Sequence, residues 1–179
     1  IATNDKSLTE ESRRRLEELW QHINNAIQGV RRLSQDLRPA ALDRLGLLPA
    51  LEWLADETKK YSGIETKVNI KGNPQRFPEE EELLLFRITQ EALRNVWRHS
   101  KASEAEIAVE FDQDKARITV SDNGKGFDLP DKLGDLARDG KLGLAGMQER
   151  AQLLGATLSV QSQPGKGSSI TVELPVKST

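Results

Sequence analysis

Apolar side chains three and four residues apart dominate the first part of the chain: Leu16, Leu19, Ile23, Ala26, Val30, Leu33 and Leu37 form one unbroken seam. A heptad of this kind predicts a helix that packs against another helix, in a coiled coil or an antiparallel bundle. Ser7-Leu8-Thr9-Glu10 has the form of a capping box and starts it, and Pro39 ends it by disfavouring helical geometry at Arg38. The seam needs cover, from a partner helix or from the chain's own domain, because a lone helix of this length is marginal. Residues 39–46, bracketed by Pro39 and Gly46, read as a connector that separates an appendage, 1–40, from a main domain, 41–179.

Beyond the connector the period changes several times. Pro49 suits a helix first turn, and Leu51, Leu54 and Ala55 continue at helical spacing to Tyr61-Ser62-Gly63. Ile64, Thr66, Val68 and Ile70 then alternate with Glu65, Lys67 and Asn69, the signature of a half-buried strand. Pro78 and Glu79 to Glu82 open a central helix whose apolar side gathers Leu85, Phe86, Ile88, Ala92, Leu93, Val96 and Trp97. Glu106 to Phe111 and Ala116 to Ser121 read as a hairpin, and residues 128–141 as a mobile loop. Leu144, Met147, Ala151 and Leu154 restore helical spacing up to Gly155, and Ala156 to Gln161 with Ser168 to Leu174 bracket Pro164-Gly165-Lys166-Gly167 as a second hairpin. The order predicts an α+β fold: a two-layer sandwich in which helices cover one face of a mixed sheet, preceded by the bundle helix.

Composition narrows the chemistry. The 179 residues carry a formal net charge of -2 with both signs interspersed, which gives no basic surface for nucleic acid. There is no cysteine, so disulfides, thiolate metal sites and cysteine nucleophiles are excluded, and two distant histidines argue against a histidine-rich metal site. No apolar run approaches the roughly 20 residues of a membrane helix. Beginning at Ile1 rather than methionine, the chain reads as a piece of something longer.

Three features carry candidate chemistry. Glu91 and Asn95 lie one helical turn apart and can reach one small volume, where a carboxylate and a neutral oxygen suit hydrated Mg²⁺. Arg87, Arg94 and Arg98 share that stripe, and taken alone it reads first as an ordinary ion-paired solvent face. Asp122-Asn123-Gly124-Lys125-Gly126-Phe127 puts a carboxylate at a strand end before glycines that let backbone approach a bound group; a tight turn has the same form. Gly143-Leu144-Ala145-Gly146 opens a helix, where free amides and the dipole favour phosphate, although packing alone also explains glycines there.

In this order and on these elements, the three features resemble the nucleotide-binding domain of the ATPase superfamily that includes DNA gyrase, heat-shock protein 90, sensor histidine kinases and the mismatch-repair protein MutL. Glu91, Asn95, Arg98 and His99 match its N box; Asp122, Gly124 and Gly126 its first glycine box; Gly143 and Gly146 its second; and Gly165, Gly167, Ser168 and Ser169 its closing glycine and hydroxyl box. Asp36-Leu37-Arg38-Pro39 with Leu45-Gly46-Leu47, Gln90-Glu91-Ala92 through His99-Ser100, and Gly143-Leu144 with Gly146-Met147 through Glu149-Arg150 resemble sensor histidine kinases of the nitrate-sensor and DesK-like class. Three positions depart from the pattern in detail: Arg98 stands where lysine is common, and Ser168 and Ser169 where threonine is common. His22 falls on what resembles the second helix of the dimerisation hairpin, and no His-Asp or His-Glu pair exists in the chain.

The resemblance implies a Bergerat-type fold that binds ATP with Mg²⁺ for phosphoryl transfer. Asp122 reads the adenine amine. Asn95 holds the metal, and Glu91 joins it or orients a nucleophile or a metal-bound water. Arg98 and His99 neutralise phosphate, residues around Lys141, Gly143, Leu144 and Gly146 close over it, and 128–141 is the ATP lid. The implied partners are a second copy, through the helix at 8–38, and a response regulator that takes the phosphoryl group from a histidine outside this chain. The implied place is the cytoplasm, with a parent protein that is free to be anchored in the inner or plasma membrane. Two other readings remain: a hydrolytic ATPase of the same superfamily, in which Glu91 activates water, and a non-catalytic dimerisation module.

Overall fold

The computed structural model describes residues 40–128 and 142–175, together with residues 11, 14–16 and 18–21 of the N-terminal segment. The chain divides into two compact units, Ile1–Pro39 and Ala40–Thr179. In the first unit the described residues are helical (α1), with Arg15 paired to Glu11 at 2.7 Å and Arg14 to Glu18 at 3.2 Å. Leu16 and Leu19 of the seam are exposed there, as is Trp20. The capping box, His22, the rest of the seam and residues 129–141, Lys141 included, lie outside the described residues.

The second unit opens on a short helix α2 (Ala40–Leu45) where the sequence predicts only a connector. The reason is Leu42: one helical turn turns its side chain into the core, 2% exposed, and Gly46 closes that turn by donating from its N–H to the Leu42 carbonyl at 3.0 Å. Helix α3 (Leu47–Ser62) carries Pro49 in its first turn and buries Leu47, Ala50, Leu51, Leu54 and Ala55 along one stripe. Strand β1 (Glu65–Lys71) comes next, and helix α4 (Glu79–Asn95) starts after Pro78 as the sequence predicts.

Two residues of the α4 region depart from expectation. Glu82, one of the four opening acids, does more than complement the helix dipole. It is buried, and its carboxylate accepts from Arg76 Nε at 2.8 Å, from Arg76 Nη2 at 3.3 Å and from the Phe77 amide at 3.3 Å. Trp97, expected on the apolar side, is 48% exposed. The helix widens after Asn95 into a π turn (Val96–Ser100), in which Val96 and Ser100 take the buried positions and Trp97 is left outside.

Strands β2 (Glu104–Phe111) and β3 (Lys115–Asp122) form the first hairpin, and helix α5 (Leu142–Leu153) leads to the second, β4 (Thr157–Ser162) with β5 (Ser168–Pro175). The sheet order is β1-β2-β3-β5-β4, parallel between β1 and β2 and antiparallel elsewhere. Ile107 faces Val120, Val109 faces Ile118, and Ile118 in turn faces Val172. These side chains, with Leu85, Phe86, Ile88 and Leu93 of α4 and Met147 of α5, make the core between sheet and helices. Each such burial stabilises the fold by about 1.5–3 kcal/mol relative to exposure.

The opposite face of the sheet is polar. Arg117 bridges Glu110 at 3.0 Å and Glu173 at 2.8 Å, Lys115 lies 3.3 Å from Glu173, and the Thr119 and Thr171 hydroxyls are 3.1 Å apart. Helices on one face and charge on the other is the two-layer α+β arrangement that the sequence predicts. The antiparallel register of β3 and β5 brings Asp122 opposite Ser168, at the last residue of one strand and the first of the other.

Candidate functional site

Beside those strand ends lies a cavity of about 490 Å³, bounded by the end of α4, the π turn, the loop after β3 and the first turn of α5. Glu91 and Asn95, at i and i+4 on one side of α4, both line it. Gly143 sits against them: a Cβ there would strike Glu91 Oε1 and lie 3.4 Å from both polar atoms of the Asn95 amide. The second glycine segment is therefore pressed onto the first acidic one. The stripe is also ion-paired, as the alternative reading has it, through Arg94 Nη2 at 2.6 Å from Glu91 Oε2. Arg87 contacts Gln90 Oε1 at 2.7 Å.

At the other end of the cavity Asp122 is held from both sides. Its Oδ1 accepts from the Gly124 amide at 2.8 Å, and its Oδ2 accepts from the Ser168 hydroxyl. The loop after β3 is strapped to the π turn, with the Lys125 amide donating to the Ser100 carbonyl at 2.8 Å. Asn123 adds a clamp: its Oδ1 accepts from the amides of Ser103 and Glu104 at 3.0 and 3.1 Å, and its Nδ2 donates to Ser103 Oγ at 3.0 Å. Gly167 makes this packing possible. Its φ of 76° is in the left-handed region, and any Cβ would collide with the Asp122 carbonyl. At Gly124 and Gly126 the adjoining space is filled likewise by Ser100 and by Gln163, so these glycines admit protein backbone.

Of the residues predicted from sequence, the cavity gathers Glu91, Asn95, Arg98, His99, Asp122, Gly126, Gly143, Leu144 and Ser168. Three others are not on its wall. Gly124 packs under Ser100, and Gly146 makes room for Arg150, whose Nη1 donates to the Gly146 carbonyl at 2.8 Å. Ser169 alternates with Ser168 along β5 and so shares the polar face of the sheet with Thr171 and Glu173, away from the cavity. Other residues that the sequence did not mark as site residues also line it, among them Lys125, Phe127, Val120 and Ile170. Lys125 stands inside the glycine motif at 122–127, where a cation between two glycines is a visible signal; the apolar members read as core strand positions with nothing to mark them.

The arrangement offers a polar cleft with an apolar floor, an anchored carboxylate at one end, and Arg98, His99 and Lys125 about the remainder. Among the described residues no group of three or more His, Cys, Asp or Glu is able to hold a metal ion alone. One carboxylate oxygen with one amide oxygen, on adjacent turns, fits Mg²⁺ that keeps waters and is shared with substrate phosphates. Among the described residues no helix is long and apolar enough to cross a membrane.

Comparison with known proteins bears on the family and the fold. Residues 80–178 match the model of the family described as histidine kinase-, DNA gyrase B- and HSP90-like ATPase. The signal transduction histidine-protein kinase/phosphatase DegS of Brevibacillus brevis is 35% identical over 97% of this chain and 43% of its own length. The sensor histidine kinase MctS of Rhizobium johnstonii is 43% identical over 86% of this chain and 32% of its own. The chain thus spans less than half the length of these curated relatives. Among solved structures, the Acinetobacter baumannii histidine kinase AdeS superposes with a TM-score of 0.61 at 18% identity, over 89% of this chain and 84% of that one, a likeness of fold. The chain belongs to the family of histidine kinase-, DNA gyrase B- and HSP90-like ATPases.

Proposed function

We propose that the second unit is the ATP-binding catalytic domain of a two-component sensor histidine kinase, and that the first is part of its dimerisation and phosphotransfer hairpin. One observation carries the reading: Glu91, Asn95 and Gly143 meet on one wall of the cavity that Asp122 and Ser168 close at the other end.

Adenine lies over the apolar floor of Val120, Ile170 and Leu144, and its exocyclic amine donates to Asp122, with Ser168 alongside. Asp122 is already anchored by the Gly124 amide, so little ordering remains to be done when the base arrives. Arg98, His99 and Lys125 balance the phosphate charge, Arg98 with a fork that matches phosphate oxygens in pairs. Asn95, with Glu91, holds Mg²⁺, which when bound neutralises charge on the phosphates. Catalysis of this kind is mostly positioning and electrostatic stabilisation. The γ-phosphoryl group passes to a histidine outside these 179 residues, since the chain has no histidine followed by an acid, and from there to an aspartate of a response regulator. The seam around Leu16 and Leu19 pairs two copies, and the catalytic unit works in the cytoplasm.

The test is phosphorylation. The full-length parent incubated with γ-labelled ATP and Mg²⁺ acquires acid-labile label outside this chain, and Asn95→Ala abolishes it. The 179-residue chain alone acquires none. Label on His22 would refute the assignment of the N-terminal helix, and an unlabelled full-length protein would refute the kinase reading.

A further inference from the structure

The Glu91 carboxylate has an ion-pair partner to which the proposed nucleotide contacts assign no part. Arg94, three residues along α4, brings Nη2 to 2.6 Å from Glu91 Oε2, and the Glu91 side chain is only 17% exposed. The second oxygen, Oε1, is the atom a Cβ at Gly143 would strike, on the side where the Asn95 amide lies. One oxygen is thus covered by a guanidinium, and the other faces the junction of α4 and α5. Both side chains line the cavity.

We propose that Arg94 is a positioning residue that decides specificity: it holds Glu91 so that the γ-phosphoryl group goes to a protein acceptor and not to water. This rests on the reading of the cavity as an ATP site. In the reaction it suppresses, a water oxygen bonds to the γ-phosphorus, and the bond from that phosphorus to the β–γ bridging oxygen breaks. ADP leaves with the electron pair, the water proton passes to the Glu91 carboxylate, and inorganic phosphate is formed. A general base acts only with a free oxygen in hydrogen-bond reach of the proton it takes, about 2.6–3.2 Å. The short charge-assisted contact to Arg94 holds the carboxylate by Oε2, and Oε1 lies against Gly143 on the side of the Asn95 amide. Held in this way, Glu91 is kept from aligning on an attacking water.

The experiment measures phosphate release and Mg-ATP affinity separately on the 179-residue chain. At saturating Mg-ATP, Arg94→Ala releases phosphate at least about tenfold faster than wild type, a modest part of what a freed general base contributes. Arg94→Lys keeps a cation within reach of Glu91 and stays below Arg94→Ala. The double variant Arg94→Ala/Glu91→Gln, assayed at Mg-ATP concentrations that its own measured affinity shows to be saturating, loses the acceleration. The proposal is overturned if Arg94→Ala binds Mg-ATP and hydrolyses it no faster than wild type, or if the double variant keeps the raised rate. A wild-type chain that binds no Mg-ATP overturns the nucleotide reading instead, and this proposal with it.

Discussion

Asp122→Asn changes one atom of the site and keeps its frame. Asp122 Oδ1 accepts from the Gly124 amide at 2.8 Å, and an asparagine oxygen preserves that bond. The other oxygen, which accepts from the Ser168 hydroxyl, becomes an NH₂ group, and the serine is able to turn and accept in its place. Loop and strand ends therefore stay where they are. What changes is the partner offered to adenine: its exocyclic amine, a donor, now meets a donor. A buried donor without an acceptor costs about 1–3 kcal/mol, which corresponds to roughly 5- to 150-fold in Kd. Isothermal titration calorimetry with Mg-ATP reads this directly, with thermal melting of the free protein as the control. The expected result is affinity weakened within that range and a melting temperature within a few degrees of wild type. Asp122→Asn binding Mg-ATP within twofold of wild type would refute the assignment of Asp122 to the base.

Three further perturbations separate the site from the scaffold. Gly143→Ala forces a Cβ onto Glu91 Oε1, the end of a flexible side chain, so the melting temperature holds while Mg-ATP affinity falls; unchanged affinity by calorimetry would contradict the placement of Glu91 and Asn95. Arg76→Ala leaves the buried Glu82 carboxylate with only the Phe77 amide among its three contacts, and urea unfolding should show a loss of about 1–3 kcal/mol; a smaller change would mean that solvent already satisfies Glu82. On the polar face, the hydrogen bond from Arg117, supported by Lys115, holds the Glu173 carboxyl below the ordinary glutamate range. A carboxylate lowered on folding stabilises the fold above its unfolded value, and that contribution disappears as pH falls through the folded value. Glu173→Gln should therefore melt lower than wild type at pH 7 and converge with it in acid, as pH falls through the lowered folded value and the carboxylate is protonated, with the gap narrowing in high salt because the pair is exposed; a gap that persists once the carboxylate is protonated would refute the ion-pair account.

Local pattern made much of this legible. The four-residue spacing of Glu91 and Asn95 is enough to place both on one side of a helix, and alternation in β1 and in the two hairpins marks the strands. What escaped was set by distant contacts. Pairing of β3 with β5 joins residues 46 apart at Asp122 and Ser168, and hairpin patterns specify only neighbouring strands. Helix α2 is a single short turn with no room to show a period, and it exists because Leu42 reaches the core. Glu82 looked like one helix-opening acid among four; its burial depends on Arg76 folding back over Gly46, where a Cβ would lie 2.6 Å from Arg76 Cζ. Ser169 was grouped with Ser168 by type, and strand alternation sends the two to opposite faces.

The central claim is that this cavity holds a magnesium nucleotide, and calorimetric titration of the 179-residue chain with ATP tests it most directly. Binding at one site per chain, weakened when EDTA removes Mg²⁺ and abolished in Asn95→Ala, is the predicted result; absence of binding by the wild-type chain in the presence of Mg²⁺ would contradict it.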